Sequence, residues 1–278
     1  MKNLSVRQRA LCGVIALCAM PAPVLAQQDA SGGLEEIVVT ANKREESLSK
    51  VGLTVNVLSA DALRNRQIST IQDLTATVPS MSYAETPTSS PIISVRGVGF
   101  YDTTLSATPT VSLYMNQVPL PYPIMAGHGI FDLQQVEVMK GPQGILFGQN
   151  STGGAINYVP AAPTADLHAG LSLGYGNHDR FSQEAFVSGP ISDTLRVRIS
   201  ERMVRSDGWQ KSLTRPNDRN GKTNTVEGRL LVDFEPSDRA KFQLNVNGWL
   251  DNSQPQAAQL IGFNVQIPGA GDPGVLAS

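Results

Sequence analysis

Four regimes of hydrophobic patterning follow one another along the chain. Ala10 to Met20 is continuously apolar, preceded by Lys2, Arg7 and Arg9 and followed by the small-residue signature Val24-Leu25-Ala26. This order predicts a secretory signal peptide over residues 1–26, because an apolar core of about eleven residues falls short of the roughly 20 that a membrane-spanning helix needs. Gln27 to Gly33 is polar with glycine and serine, which predicts a flexible leader. A β-branched run, Glu35-Glu36-Ile37-Val38-Val39-Thr40-Ala41, then sits between Gly-Gly and the charged Asn42 to Glu46. It reads as a short strand without an evident partner in its own chain, and so as one expected to pair with a strand of another protein.

From residue 51 to 160 the period changes repeatedly. Leu53 to Leu58 nearly alternates, and Ser59 ahead of Asp61-Ala62-Leu63 predicts a capped helix start. Ser69 to Leu74 predicts a second short helix, closed by Val78-Pro79. Further strands are expected at Ile92 to Arg96, Val111 to Met115 and Val136 to Met139, with Gly/Pro turns between them. The pattern is that of an α+β domain.

Beyond the Pro/Ala linker at Pro160 to Pro163, helical periodicity gives way to five long segments of period two, near 167–175, 181–188, 195–203, 225–234 and 242–250. In the third, Leu195, Val197, Ile199 and Met203 share one face, opposite Arg196, Arg198, Ser200 and Arg202; in the fifth, Phe242, Leu244, Val246 and Leu250 oppose Gln243, Asn245 and Asn247. A soluble half-buried sheet also alternates, so the connections decide. Gly189 to Asp193 and Glu235 to Asp238 are tight, whereas Ser206 to Asn224 is long and polar, which fits the short inner turns and longer outer loops of a transmembrane β-barrel. The short Gly176 to Arg180 connection departs from that alternation.

Composition narrows the chemistry. Both cysteines, Cys12 and Cys18, lie within the signal, so the remaining chain has no disulfide, thiolate metal site or cysteine nucleophile. Removing Lys2, Arg7 and Arg9 with the signal leaves 19 basic residues against 24 acidic ones, a net charge near −5 that argues against a nucleic-acid partner. His128, His168 and His178 lie far apart without metal-ligand spacing, no catalytic triad or paired-carboxylate motif is recognisable, and no enzyme activity or cofactor is expected. Gly148 to Gly153 is followed by Gly154-Ala155 rather than the Lys-Ser/Thr of a phosphate-binding loop.

In this order, the segments resemble a TonB-dependent outer-membrane receptor. Asp132-Leu133-Gln134-Gln135-Val136-Glu137-Val138-Met139-Lys140-Gly141-Pro142-Gln143-Gly144-Ile145-Leu146-Phe147-Gly148, continuing to Gly153-Gly154-Ala155-Ile156-Asn157, is similar to that family's plug signature. Ile37, Val38, Val39, Thr40 and Ala41 resemble its TonB box, and Val95-Arg96-Gly97 and Asp73-Leu74 with Val78-Pro79 resemble weaker plug motifs. The resemblance implies a signal peptide at 1–26, a leader with the TonB box at 27–50, a plug at 51–160 and the start of a transmembrane barrel at 161–278. It implies an outer-membrane location, contact with lipid, a monomeric state, TonB as partner and import of a ferric siderophore or another large nutrient.

The same resemblance implies that Arg96 and Lys140 latch the plug to acidic groups on the barrel wall, with lysine giving a point charge where arginine would give a fork. Gly141, Pro142, Gly148, Gly153, Gly154 and Asn157 form its plug motif, and Tyr83, Phe100, Tyr101 and Asp102 at the expected apex are candidate ligand contacts. Such barrels have about 22 strands. Five cannot close one, so the chain is expected to be the front of a longer receptor or a truncated product that does not transport. A passive porin or structural barrel is the alternative, and would need neither plug nor coupling segment.

Overall fold

The computed structural model describes residues 38–40, 44, 46–86, 91–101, 108–148, 150–212, 215 and 217–257, all within one unit spanning Ile37–Ser278. The signal, residues 27–37 of the leader, Ala41 and Asp102 lie outside the described residues.

The first part is built on a five-stranded mixed sheet. Its strands are β3 (Thr54–Ser59), β6 (Val111–Met115), β7 (Val118–Leu120), β8 (Leu133–Lys140) and β9 (Gly154–Pro160), in the order β3-β8-β9-β6-β7; only the β6 and β9 pair is parallel. A separate hairpin pairs β4 (Met81–Glu85) with β5 (Pro91–Val95). The first helix starts behind Ser59 as its sequence predicts, whereas the second is shorter than the predicted Ser69 to Leu74 and ends four residues before Val78-Pro79. Ser59 accepts from the Ala62 N–H at the head of α1 (Ala60–Asn65), and Thr70 and Asp73 form a reciprocal capping box on α2 (Ile71–Leu74).

Both faces of this sheet are covered. On one, Val136, Val138, Ile156, Tyr158 and Leu113 pack with Leu63, Ile71 and Leu74 of the helices. On the other, Met139, Ala155 and Tyr114 pack with Phe147 of α3 (Gly144–Phe147) and with Val39. Two-sided burial explains why Met139 is apolar where the alternation of Val136-Glu137-Val138 would put a polar residue.

The second part is a sheet of five antiparallel strands. β10 (His168–Gly176), β11 (Arg180–Ser192), β12 (Leu195–Ser206), β15 (Thr223–Ser237) and β16 (Ala240–Asp251) are paired in chain order, while β13 (Gln210–Lys211) and β14 (Arg219–Asn220) form a small hairpin in the long loop. The β10–β11 turn is as tight as its sequence, with His178 and Asp179 in the left-handed region. The segments near 181–188 and 225–234, which alternate least cleanly, are the two longest strands, of 13 and 15 residues.

The faces of this sheet are inverted relative to a soluble protein. Leu171, Leu173, Val187, Ile199, Leu244, Val246 and Leu250 are exposed, whereas Ser188, Arg198, Ser200, Glu227, Arg229 and Asp233 are buried. An apolar exterior and a polar interior turned toward the first part is the arrangement of a transmembrane barrel wall. Phe234 and Phe242 stack on the outer face beside the tight β15–β16 turn, and Tyr175 stands on it at the opposite end of β10, as aromatic girdles do.

Candidate functional site: a docked short strand and a wall clasp

The segment expected to lack an internal partner has one. β1 (Val38–Val39) pairs antiparallel with β2 (Glu46–Ser47), and Val39 is fully buried against Tyr114, Met139, Phe147 and Ala155. The strand is therefore paired within its own chain, contrary to what its sequence predicts. Its partner strand, Glu46–Ser47, lies in the charged flank and is too short to show a strand pattern, while the surface that buries Val39 is assembled from residues far along the chain.

Thr40 anchors the segment. Its N–H donates to Glu137 Oε1 at 2.7 Å and its hydroxyl to Glu137 Oε2 at 2.8 Å, while Asn157 Nδ2 donates to Thr40 Oγ1 at 3.0 Å. Glu137 has no solvent exposure and is completed by Gln135 Nε2 at 2.8 Å and Asn157 Nδ2 at 3.3 Å. Four donors thus converge on one carboxylate, matching its acceptor capacity and offsetting the cost of burial. Glu137 and Asn157 are opposite each other on β8 and β9, so the sheet's own register presents this cluster.

The second constellation joins the first part to the barrel wall. The loop from His128 to Asp132 faces three wall arginines. Arg198 grips the Asp132 carboxylate with two bonds, Nε to Oδ2 at 2.7 Å and a short contact from its terminal nitrogen to Oδ1, both side chains being almost fully buried. Arg229 donates to the carbonyls of Gly129 at 2.8 Å, Phe131 at 2.8 Å and Asp132 at 3.3 Å, and stacks over the Phe131 ring. Arg202 donates to the carbonyls of Ile130 at 3.1 Å and Ser69 at 3.0 Å. Four consecutive backbone carbonyls are thereby capped from the wall.

Acidic wall residues take the complementary donors. Glu184 accepts from the Asp132 N–H at 2.9 Å, and Glu227 from the Gly129 N–H at 3.1 Å and meets His128 Nδ1 at 3.1 Å. His128 also stacks on Trp249. Arg198 and Arg202 stand out in the sequence on the polar face of their strand, but nothing local says which loop they meet.

Arg96 and Lys140 come together, though not against these strands. Arg96 occupies a left-handed turn after β5, its guanidinium lies against Gly141, and Lys140 Nζ donates to the Pro79 carbonyl at 2.7 Å. Burial, and then the neighbouring Arg96 charge, push the Lys140 ammonium below the usual lysine range. Of the expected apex residues, Phe100 and Tyr101 are exposed, whereas Tyr83 packs against the core. Burial and the nearby Glu85 carboxylate push the Tyr83 phenol up to about 12. The Tyr158 hydroxyl, raised by full burial, has no hydrogen-bond partner among the described residues.

Comparison with known proteins agrees with this architecture. The family model described as TonB-dependent Receptor Plug Domain matches residues 47–155. The pesticin receptor of Yersinia pestis is 29% identical over 247 residues, covering 86% of this chain and 35% of that protein. The ferripyoverdine receptor of Pseudomonas aeruginosa is 37% identical over 76 residues, 26% of this chain and 9% of that protein. The solved ferric yersiniabactin uptake receptor FyuA from Yersinia pestis superposes with a TM-score of 0.60 at 27% identity, over 67% of this chain and 29% of that one. The alcaligin outer-membrane receptor FauA from Bordetella pertussis shares the fold, with a TM-score of 0.62 at 17% identity over 82% of this chain and 38% of that one. The chain spans about a third of the length of the Yersinia relative. Residues 47–155 thus match the plug domain of TonB-dependent receptors, and the chain as a whole, a plug seated against five antiparallel strands, is similar to outer-membrane receptors of that kind.

Proposed function

We propose that the complete receptor imports a scarce, large ligand, most specifically a ferric siderophore, across the outer membrane with energy delivered by TonB. Its segments divide as a signal at 1–26, a leader with the TonB-contacting residues Ile37 to Ala41 at 27–50, a plug at 51–160 and barrel from 161 onward. The observation that carries the reading is a short strand, Val38–Val39, that joins the plug through one buried polar cluster and a single buried valine side chain. Such a strand is suited to leave the plug and be added to a partner's sheet, where main-chain bonds transmit a pull. The ferric-siderophore choice follows the names of relatives, which include a ferric yersiniabactin uptake receptor and a ferripyoverdine receptor. Phe100 and Tyr101, both exposed, are the proposed ligand contacts on the plug together with Tyr83 and Asp102, and Arg96 with Lys140 would meet acidic wall groups outside the five described strands.

Val39→Pro in the full-length receptor tests this. Proline removes a ladder N–H and fixes φ, so association with the TonB periplasmic domain is expected to fall at least tenfold. Growth under iron limitation, with ferric siderophores supplied one at a time, should fail in parallel. Unchanged uptake would favour a passive channel.

A further inference from the structure

We propose that Gln135 and Glu137 serve as a surrogate strand, occupying the backbone edge of the coupling segment so that docking on the plug and engagement by TonB exclude each other. The inference rests on the reading that Val38 to Thr40 is the TonB-contacting segment. In extended chain the carbonyl of one residue and the N–H two residues on point to the same edge. Val38 O and Thr40 N are such a pair. The first accepts from Gln135 Nε2 at 3.0 Å, and the second donates to Glu137 Oε1 at 2.7 Å.

The two side chains can do this because they alternate on β8. Separated by one residue, they leave the same face of the sheet, and Gln135 Nε2 also donates to Glu137 Oε1 at 2.8 Å, which fixes one against the other. One donor and one acceptor, spaced as alternate residues are, reproduce what an incoming strand would offer. The opposite edge of the segment is taken by Glu46–Ser47 in β2. Neither edge is open in this state, so a partner strand must first displace either the hairpin or the surrogate. Thr40 Oγ1, held by both Glu137 and Asn157, adds a side-chain bond that pairing with a partner strand would not replace.

The test measures binding of the TonB periplasmic domain to purified full-length receptor without ligand. Gln135→Ala removes a half-buried side chain and leaves Glu137 its bonds from Thr40 and Asn157, and about fivefold tighter TonB binding is expected from the lost hydrogen bonding. Glu137→Gln keeps an acceptor for Thr40 N but sets an amide donor among the Gln135 and Asn157 donors, and about tenfold or more is expected. Gln135→Lys retains a donor toward Val38 O and should bind TonB as weakly as the unaltered chain, a restoration that mere loss of packing does not produce. Unchanged affinity in Gln135→Ala and Glu137→Gln, together with loss of binding in Val39→Pro, would overturn the surrogate strand and leave the coupling segment standing. Unchanged binding in Val39→Pro would instead remove the functional reading on which it rests.

Discussion

Replacing Arg198 by alanine is expected to weaken the seat of the plug in the full-length receptor by about 3–5 kcal/mol, the range for stripping one partner from a buried ion pair. The cost does not come mainly from lost attraction. It comes from the Asp132 carboxylate, which is almost fully buried and would retain only weaker partners in a site closed to water. Arg229 and Arg202 cannot substitute, because they are committed to the carbonyls of Gly129, Ile130, Phe131 and Ser69. A urea titration of plug release, read by protease access to the plug, should shift strongly to lower concentration, and mid-sized antibiotics should leak through the pore. Arg198→Lys should recover part of the loss, since it restores charge without the two-pronged grip. Asp132→Asn combined with Arg198→Met should recover more, because asparagine tolerates the left-handed backbone at 132 and no charge is left buried alone. Equal losses in the single and double variants would show that the ion pair is not what seats the loop.

The route to this clasp shows which parts of the molecule are legible in one dimension. Capping residues act within a few positions, so Ser59 and the Thr70–Asp73 pair announce their helices. The barrel strands announce themselves too, because a wall with lipid outside and a filled lumen inside must alternate. The docking of Val38 to Thr40 is illegible for the opposite reason. Thr40 and Glu137 are 97 positions apart, and a strand of two residues carries too little pattern to reveal what covers it.

Arg198, Arg202 and Arg229 fall between these cases. Their placement on a polar strand face can be read from alternation, but their target is a loop whose carbonyls are chemically anonymous in sequence. The plug signature marks out Glu137 and Asp132 without saying that one holds the Val38–Thr40 segment and the other the wall. Both functions fall at β8, which begins directly after Asp132 and carries Glu137 at its fifth position. The loop held by the wall and the side chain that holds Thr40 are thus carried by one continuous stretch of chain.

The glycines of the signature look equivalent in sequence, and the structure separates them. Gly154→Ala is expected to destabilise the plug by on the order of 3–5 kcal/mol, combining backbone strain with overpacking. Gly154 has a φ of +152°, and a Cβ there would stand 2.4 Å from the Met139 carbonyl oxygen and 3.5 Å from its carbon. Those atoms belong to β8, paired on its other side with β3, so they cannot retreat without opening the ladder through Met139↔Ala155 and Lys140↔Gly154. Gly144, ten residues earlier, begins α3 and would place a Cβ in open space, so Gly144→Ala should be neutral or slightly stabilising. Urea unfolding of the plug in assembled full-length receptor compares the two directly. A loss for Gly154→Ala no larger than that for Gly144→Ala would mean that β8 and β9 do not approach as closely as the structure has them. Glu137 and Asn157 would then lose the register that brings them together on Thr40.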